Sequence, residues 1–395
     1  MTENTNAAIA ALSRVAAIWQ ARLNDAWTPP PGSPFPWAQV RLSLSALLPG
    51  MRDAGEWVRR AASLSPPGGG KLKMGQQDIG ARTVTVILAG NTPLLAWSPL
   101  CVCLLAGADT VRVKLSRDES IWTRLFVETL AEVAPEVAAR VELLDFPGAD
   151  ERTYALLTNA DAVIAYGSDA TVAALQSRTP PGVPFFGSGH AVSVGILVEG
   201  VKAAADGFAR DVLMYDQAGC LSPHLICCAR LPESDARYTH VLSRYFGTHS
   251  LGLALQEQAF SLTVAMRRNV GDAVAIREAR DMATMEGAIS IGDDALRWTT
   301  ITTGAVEYPE PVGHSVVYVS PVESPEQLRE LLKPVWGIVS CAGVAGELPP
   351  EWEAVLRDAG VSRICKPGEM QTPPLDWRNG NRDLLAELLR VRIER

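Results

Sequence analysis

From Thr83 onward, short β-branched runs alternate with segments of helical periodicity, and this alternation restricts the chain to a parallel sheet covered by helices. Strands are read over residues 84–88, 110–115, 141–146, 161–166 and 183–186, with helices over 99–106, 119–133, 151–158 and 170–177 between them. Right-handed crossovers place helices on both faces, so ligands are expected at the carboxyl ends of the strands. A second alternating block begins near residue 191. It carries strands over 316–319, 337–340 and 363–365 and helices over 350–358 and 382–390. Ahead of both blocks, residues 1 to about 65 read as helices broken by Pro29-Pro30-Pro31-Gly32 and ended by Pro66-Pro67-Gly68-Gly69-Gly70. Ile9, Leu12, Ala16, Trp19 and Leu23 recur at helical spacing, so the first apolar run reads as an amphipathic helix rather than a secretion signal.

The class of partner follows from charge. The net charge is −8 with no basic cluster, which argues against nucleic acid or an anionic lipid surface and for a small-molecule substrate. No uncharged apolar run reaches the length of a membrane span. Seven cysteines, at 101, 103, 220, 227, 228, 341 and 365, show no CxxC pair, and the five histidines are scattered. That usage predicts a reducing cytoplasm and no bound metal.

The stretch Met214-Tyr215-Asp216-Gln217-Ala218-Gly219-Cys220-Leu221-Ser222-Pro223 presents Cys220 after a glycine and before a Ser-Pro step. Glycine lets the chain bend sharply and lets a substrate approach the backbone, while Gln217 and Ser222 keep the surroundings polar. Cys220 thus reads either as a nucleophile or as a buried loop cysteine. Asn91, in the Ala89-Gly90-Asn91-Thr92-Pro93 turn after the first strand, is a candidate binding residue or a turn residue bonding its own backbone. That turn lacks the GxGxxG pattern. At the end of the next strand, the cations Lys114 and Arg117 flank Ser116, which reads either as a site for a ribose phosphate or as a solvated strand end. His190 and His224 read either as structural histidines or as candidates for proton transfer.

These pieces, taken in order, resemble the aldehyde dehydrogenase superfamily, and within it the fatty acyl-CoA reductase (LuxC-type) branch. The resemblance is carried by Ala89-Gly90-Asn91-Thr92-Pro93, Ala165-Tyr166-Gly167-Ser168-Asp169, Gly189-His190-Ala191-Val192-Ser193, the segment from Tyr215 to Pro223, and Gly360-Val361-Ser362-Arg363-Ile364-Cys365 with Gly368-Glu369-Met370-Gln371. It implies an α/β, aldehyde dehydrogenase-like fold of two parallel-sheet domains. Residues 1–78 would be a helical segment packed on a cofactor domain over 79–190, followed by a catalytic domain over 191–362 and a return or oligomerisation segment over 363–395. Trp377-Arg378-Asn379-Gly380 stands where the family usually ends in His-Asp-Gly.

The resemblance further implies that Cys220 attacks an acyl thioester while Asn91 and the Cys220 N–H form an oxyanion hole, each donor worth about 3–4 kcal/mol. Phe186 occupies the place of the glutamate with which aldehyde-oxidising relatives activate water, so reduction to an aldehyde is expected instead of hydrolysis. Lys114, Ser116, Gly167 and Ser168 would bind the cofactor. Arg117, where NAD-using relatives carry a glutamate, favours NADPH over NADH. Implied partners are an acyl-CoA or acyl-carrier-protein donor and further copies of the chain or a multi-enzyme complex. Reduction of an acyl phosphate and a non-catalytic subunit role are the alternatives.

Overall fold

The structure, a computed structural model, describes residues 1–64, 82–116, 120–148, 150–229, 236–263, 268–304 and 307–391. Three helices lead: α1 (Glu3–Asn24), α2 (Trp37–Arg52) and α3 (Ala54–Ser63). The first sheet then builds up through β1 (Thr83–Ile87), α4 (Trp97–Leu105), β2 (Thr110–Lys114), α5 (Ser120–Val133), α6 (Pro135–Ala138), β3 (Val141–Leu144), α7 (Arg152–Thr158), β4 (Ala162–Tyr166), α8 (Asp169–Arg178) and β5 (Phe185–Ser188). All its pairings are parallel, in the order β3-β2-β1-β4-β5. The order reverses between β1 and β4, and at such a switch point the loops after neighbouring strands diverge and open a crevice.

The second sheet begins with β6 (Val192–Leu197), α9 (Val201–Leu213), β7 (Pro223–Ala229), α10 (Ala236–Tyr245), α11 (Gly252–Thr263), α12 (Val270–Met285), β8 (Ile289–Gly292) and β9 (Thr299–Thr302). It continues with β10 (Val316–Val322), α13 (Pro325–Leu332), β11 (Val339–Ala345), α14 (Pro350–Asp358) and β12 (Arg363–Cys365), and α15 (Leu384–Leu388) follows. The order is β12-β11-β6-β7-β10-β9-β8. One departure from the expected parallel sheet is that edge strand β8 runs antiparallel to β9. Six residues separate the two strands, too few for a crossover, so the chain can only turn back. Strand β12 pairs with β11, so the second sheet runs on to Cys365, past the division expected at residue 362.

One short connection sets where the two sheets meet. β5 ends at Ser188 and β6 starts at Val192, so residues 189–191 alone carry the chain from the carboxyl edge of the first sheet to the amino edge of the second. The N-terminal helices are fixed to the first sheet through tryptophans. Trp19 meets Trp97 edge to face at 5.2 Å, Trp97 meets Phe126 at 4.9 Å, and Trp37 stacks on Trp122 at 5.9 Å. The Trp97 indole donates to the Trp122 carbonyl at 3.1 Å, so the buried ring leaves no polar atom unpaired. Every side chain from Trp97 to Leu105 except Ser98 is buried, so α4 lies between helices and sheet with no solvent face. Trp97→Ala should lower unfolding free energy by about 3–5 kcal/mol, measured as a drop in the urea midpoint.

Candidate active site

A cavity of about 1050 Å³ lies where the two sheet edges meet. From the first sheet come Ala89 and Asn91 after β1, Gly167 and Ser168 after β4, and Gly187 and Ser188 of β5. The facing wall holds Cys220 and His224 at the start of β7 and Ser340 at the start of β11. Asn91, Gly167, Ser168, His190, Cys220 and His224 therefore share one cavity. Lys114 and Ser116 do not line it.

The turn before Cys220 is built differently from its sequence expectation. Gly219 does not have a left-handed φ, and the bend is made by Tyr215, Asp216 and Gln217, whose φ values are 56°, 53° and 60°. For residues with a Cβ this conformation costs roughly 1–2 kcal/mol each, and each is held by its own partners. The Tyr215 hydroxyl bonds Ser43 of α2, and its ring meets Phe35 edge to face at 5.8 Å. The Asp216 carboxylate takes the Arg268 guanidinium, the Ser315 hydroxyl at 2.9 Å and His314 Nδ1 at 3.3 Å. Gln217 donates to the carbonyls of Pro223 and Val316, both at 3.0 Å. Gly219 serves close approach instead. A Cβ there would stand 3.1 Å from Thr92 and 3.2 Å from Gln371.

Further contacts fix the residues around the thiol. Ser193 Oγ donates to the Cys220 carbonyl at 2.8 Å, and the Gln371 amide bonds Ser222. Buried Asp211 holds the segment that carries Gln371, accepting Gly368 N at 2.6 Å and Met370 N at 3.1 Å. Burial pushes the Asp211 carboxyl up to about 7 against the pull of those backbone donors. Neither Arg268 nor His314 stood out in the sequence, because each reaches the turn from a distant segment, and Asp211 gave no sign because its partners Gly368 and Met370 lie far along the chain.

Cys220 is half-buried, whereas Cys101, Cys103, Cys227, Cys228 and Cys341 are buried. Desolvation raises the Cys220 thiol above its ordinary value, opposed by its own backbone N–H, so the sulfur rests protonated. Desolvation, with a smaller push from His190, lowers His224 to about 4, which leaves its imidazole neutral near pH 7. His224 Nδ1 and Trp377 Nε1 are buried on the cavity wall and find no partner among the described residues. His190 is exposed, and its backbone N–H donates to Asp169 at 2.7 Å.

Asn91 reaches the nucleophile turn directly, since its amide donates to the Ala218 carbonyl at 2.8 Å. Phe186 lines the cavity beneath the Arg382 guanidinium, 5.1 Å from the ring centre. Three carboxylates also line it among the described residues, and each is engaged. Asp169 takes His190 N, Asp376 pairs with Arg60, and Asp383 caps Ala386 N and pairs with Arg378. A carboxylate free to activate water is therefore missing from the described wall.

The acyl-CoA reductase (LuxC) family profile matches residues 76–380. The chain belongs to that family. The long-chain acyl-protein thioester reductase of Aliivibrio fischeri is 26% identical over 142 residues, covering 34% of this chain and 29% of that protein. The match thus spans less than a third of that relative's length. An NAD-dependent benzaldehyde dehydrogenase from Corynebacterium glutamicum superposes with a TM-score of 0.67 at 11% identity, over 96% of this chain and 83% of the other. Aldehyde dehydrogenase 21 from Physcomitrella patens, in complex with the reaction product succinate, gives 0.67 at 12% identity over 95% and 80%. At these identities the likeness establishes an aldehyde dehydrogenase-like fold.

The cofactor region of this acyl-CoA reductase family member fits a dinucleotide in part. Gly167 and Ser168 open α8 at the switch-point crevice, and Ser168 caps Thr171 N at 3.2 Å, so the first N–H groups of α8 face the cavity edge. Lys114 ends β2, but its ammonium donates to the Leu115 carbonyl at 3.0 Å, and burial lowers its pKa against the pull of Asp145. Arg117 lies outside the described residues. Among the described residues there is neither a cluster of His, Cys, Asp and Glu able to hold a metal nor a helix long and apolar enough to cross a membrane.

The Asp216 clamp has a pH signature. Desolvation pushes its carboxyl up, but His314, Arg268 and Ser315 outweigh that and hold it below its ordinary 3.8. The stabilisation is thus present above the unfolded-state pKa and lost as pH falls through the folded one. Arg268→Met should cost about 3–5 kcal/mol at neutral pH, with a smaller cost below pH 4, in urea unfolding at both pH values.

Proposed function

We propose that this protein reduces an acyl thioester to the aldehyde through an acyl group held on Cys220, using NADPH. The observation that carries the reading is a half-buried cysteine in a braced turn, facing a cavity in which Phe186 and three engaged carboxylates leave no free carboxylate among the described residues to activate water. An acyl-enzyme formed there would persist until reduced.

Cys220 Sγ attacks the thioester carbonyl carbon, and the thiol proton leaves with the departing thiolate, regenerating the free thiol of coenzyme A or of a carrier's prosthetic arm. Asn91 and the Cys220 N–H are assigned to the oxygen that becomes negative in the tetrahedral state. The bond between Asn91 and Ala218 supports this role, because it ties the amide to the turn that bears the sulfur. The nicotinamide cofactor supplies a hydride when bound. With one proton taken up from solvent, collapse of the resulting hemithioacetal on Cys220 would break the carbon–sulfur bond, release the aldehyde and restore the thiol.

The proton path is constrained by energies. Burial lowers His224 to about 4 and raises the Cys220 thiol above its ordinary value, so both groups rest neutral near pH 7. His224 is therefore proposed as a relay to the leaving thiolate, through its unpartnered Nδ1, in preference to a resting base. His190, exposed at the rim, is the second candidate.

Intact-mass measurement after incubation with acyl-CoAs should show one acyl adduct in the wild type and none in Cys220→Ala, and NADPH should remove it with release of aldehyde. Asn91→Ala should lower the acylation rate by roughly 10²–10³. A label that survives Cys220→Ala, or no label with any thioester, overturns the mechanism. For the cofactor, Arg117→Glu should shift the NADPH-to-NADH ratio of kcat/KM toward NADH by about tenfold or more. An unchanged ratio would remove Arg117 from 2′-phosphate recognition.

A further inference from the structure

Cys341 of β11 and Cys365 of β12 bring their sulfurs to 3.8 Å of each other, and neither lines the cavity. In the register of the two strands Cys341 stands opposite Arg363 and Cys365 opposite Gly343, so the thiols are diagonal neighbours on one face of the sheet. Gly343 has no side chain to fill the corner between them, and the Met370 thioether packs there, 2.5 Å from where a Cβ would stand. The two settings differ. Cys341 is buried, whereas Cys365 is half-buried and ends a three-residue edge strand with a neighbour on one side only.

A cation stands beside the buried member. Arg363 Nη1 donates toward Cys341 Sγ at 3.9 Å and to the Met370 carbonyl at 3.0 Å, which fixes the guanidinium. The hydrogen bond with Cys365 and burial hold the Cys341 thiol well above its ordinary value, against the pull of Arg363. At rest Cys341 is therefore a thiol, and the sulfur open to a small reagent is that of Cys365. An ion pair with Arg363 becomes available once Cys341 gives up its proton.

We infer that Cys341 and Cys365 form a dithiol site oxidised by hydrogen peroxide, in which Cys365 reacts first and Cys341 then closes a disulfide on it. The Cys365 sulfur, giving up its proton, attacks one peroxide oxygen; the S–O bond forms, the O–O bond breaks, and the departing hydroxide takes that proton as water. Cys365 is then a sulfenic acid, oxidised by two electrons. Cys341 attacks its sulfur, the S–S bond forms as the S–O bond breaks, and hydroxide leaves with the Cys341 proton as a second water. Two thiols and one peroxide thus give one disulfide and two waters. The sulfurs must close from 3.8 Å to about 2 Å, and β12, as the short edge strand, is the one that moves. Arg363 is a positioning residue, favouring the Cys341 thiolate in the second step.

The test is peptide mapping of the full chain after exposure to hydrogen peroxide, with remaining thiols alkylated and no reductant present during digestion. A peptide pair linking Cys341 to Cys365 should form in the wild type, vanish on treatment with dithiothreitol and be absent from Cys365→Ser. In Cys341→Ala, where no thiol closes on it, Cys365 should run on to the sulfinic acid. Arg363→Gln should raise the yield of dimedone-trapped sulfenic acid at Cys365 by roughly threefold or more, because closure by Cys341 is slowed. The wild-type map decides the matter even where a variant fails to fold. Peroxide that leaves Cys365 unmodified, carries it to the sulfinic acid with no linked peptide, or links it to another cysteine overturns the inference. An unchanged sulfenic acid yield in Arg363→Gln overturns the part assigned to the arginine. Because the pair lies off the cavity, each of these outcomes leaves the reductase reading standing.

Discussion

The clamp on Asp216 is the interaction on which the rest of the site depends. Three consecutive left-handed residues with side chains are unfavourable by several kcal/mol in sum, and an unclamped chain would relax toward the right-handed region. Arg268, His314 and Ser315 meet the carboxylate from segments far along the chain, while Tyr215 and Gln217 are caught by α2 and by the carbonyls of Pro223 and Val316. His314 and Ser315 are themselves left-handed, at 55° and 60°, so two strained turns hold each other. Cys220 is presented because its approach to β7 has no freedom left.

That bracing surrounds a thiol whose resting state is neutral. Desolvation keeps the Cys220 sulfur protonated, and the neighbouring imidazole of His224 is kept neutral by the same effect. Positioning, rather than a preformed ion pair, is what this arrangement supplies. The engaged carboxylates and Phe186 leave no free carboxylate among the described residues on the cavity wall.

Much of the fold was legible before any coordinates. The strands of the first sheet fall where β-branched runs predict them, with β5 displaced to Phe185–Ser188 and so carrying Gly187 and Ser188 to the cavity. The antiparallel β8–β9 pair was not, because its four-residue strands are too short for an alternation pattern to register. Of the expected site residues, Asn91, Gly167, Ser168, His190, Cys220 and His224 converge, while Lys114 turns its ammonium onto a neighbouring carbonyl. The tryptophans divide likewise. Trp19, Trp97 and Trp122 fill the core, whereas Trp57 and Trp377 face the cavity, a distinction that depends on which helix packs where.

The sequence by itself determined the largely parallel α/β architecture and the candidate cysteine, since periodicity and residue chemistry are local properties, while the reading of Phe186 in place of a hydrolytic glutamate came from the family resemblance. Only the tertiary structure decided how Cys220 is held and which carboxylates are engaged. Those depend on contacts between residues as far apart as Asn91 and Ala218, Asp211 and Gly368, or Ser43 and Tyr215, and no local pattern in a chain records which distant groups will meet.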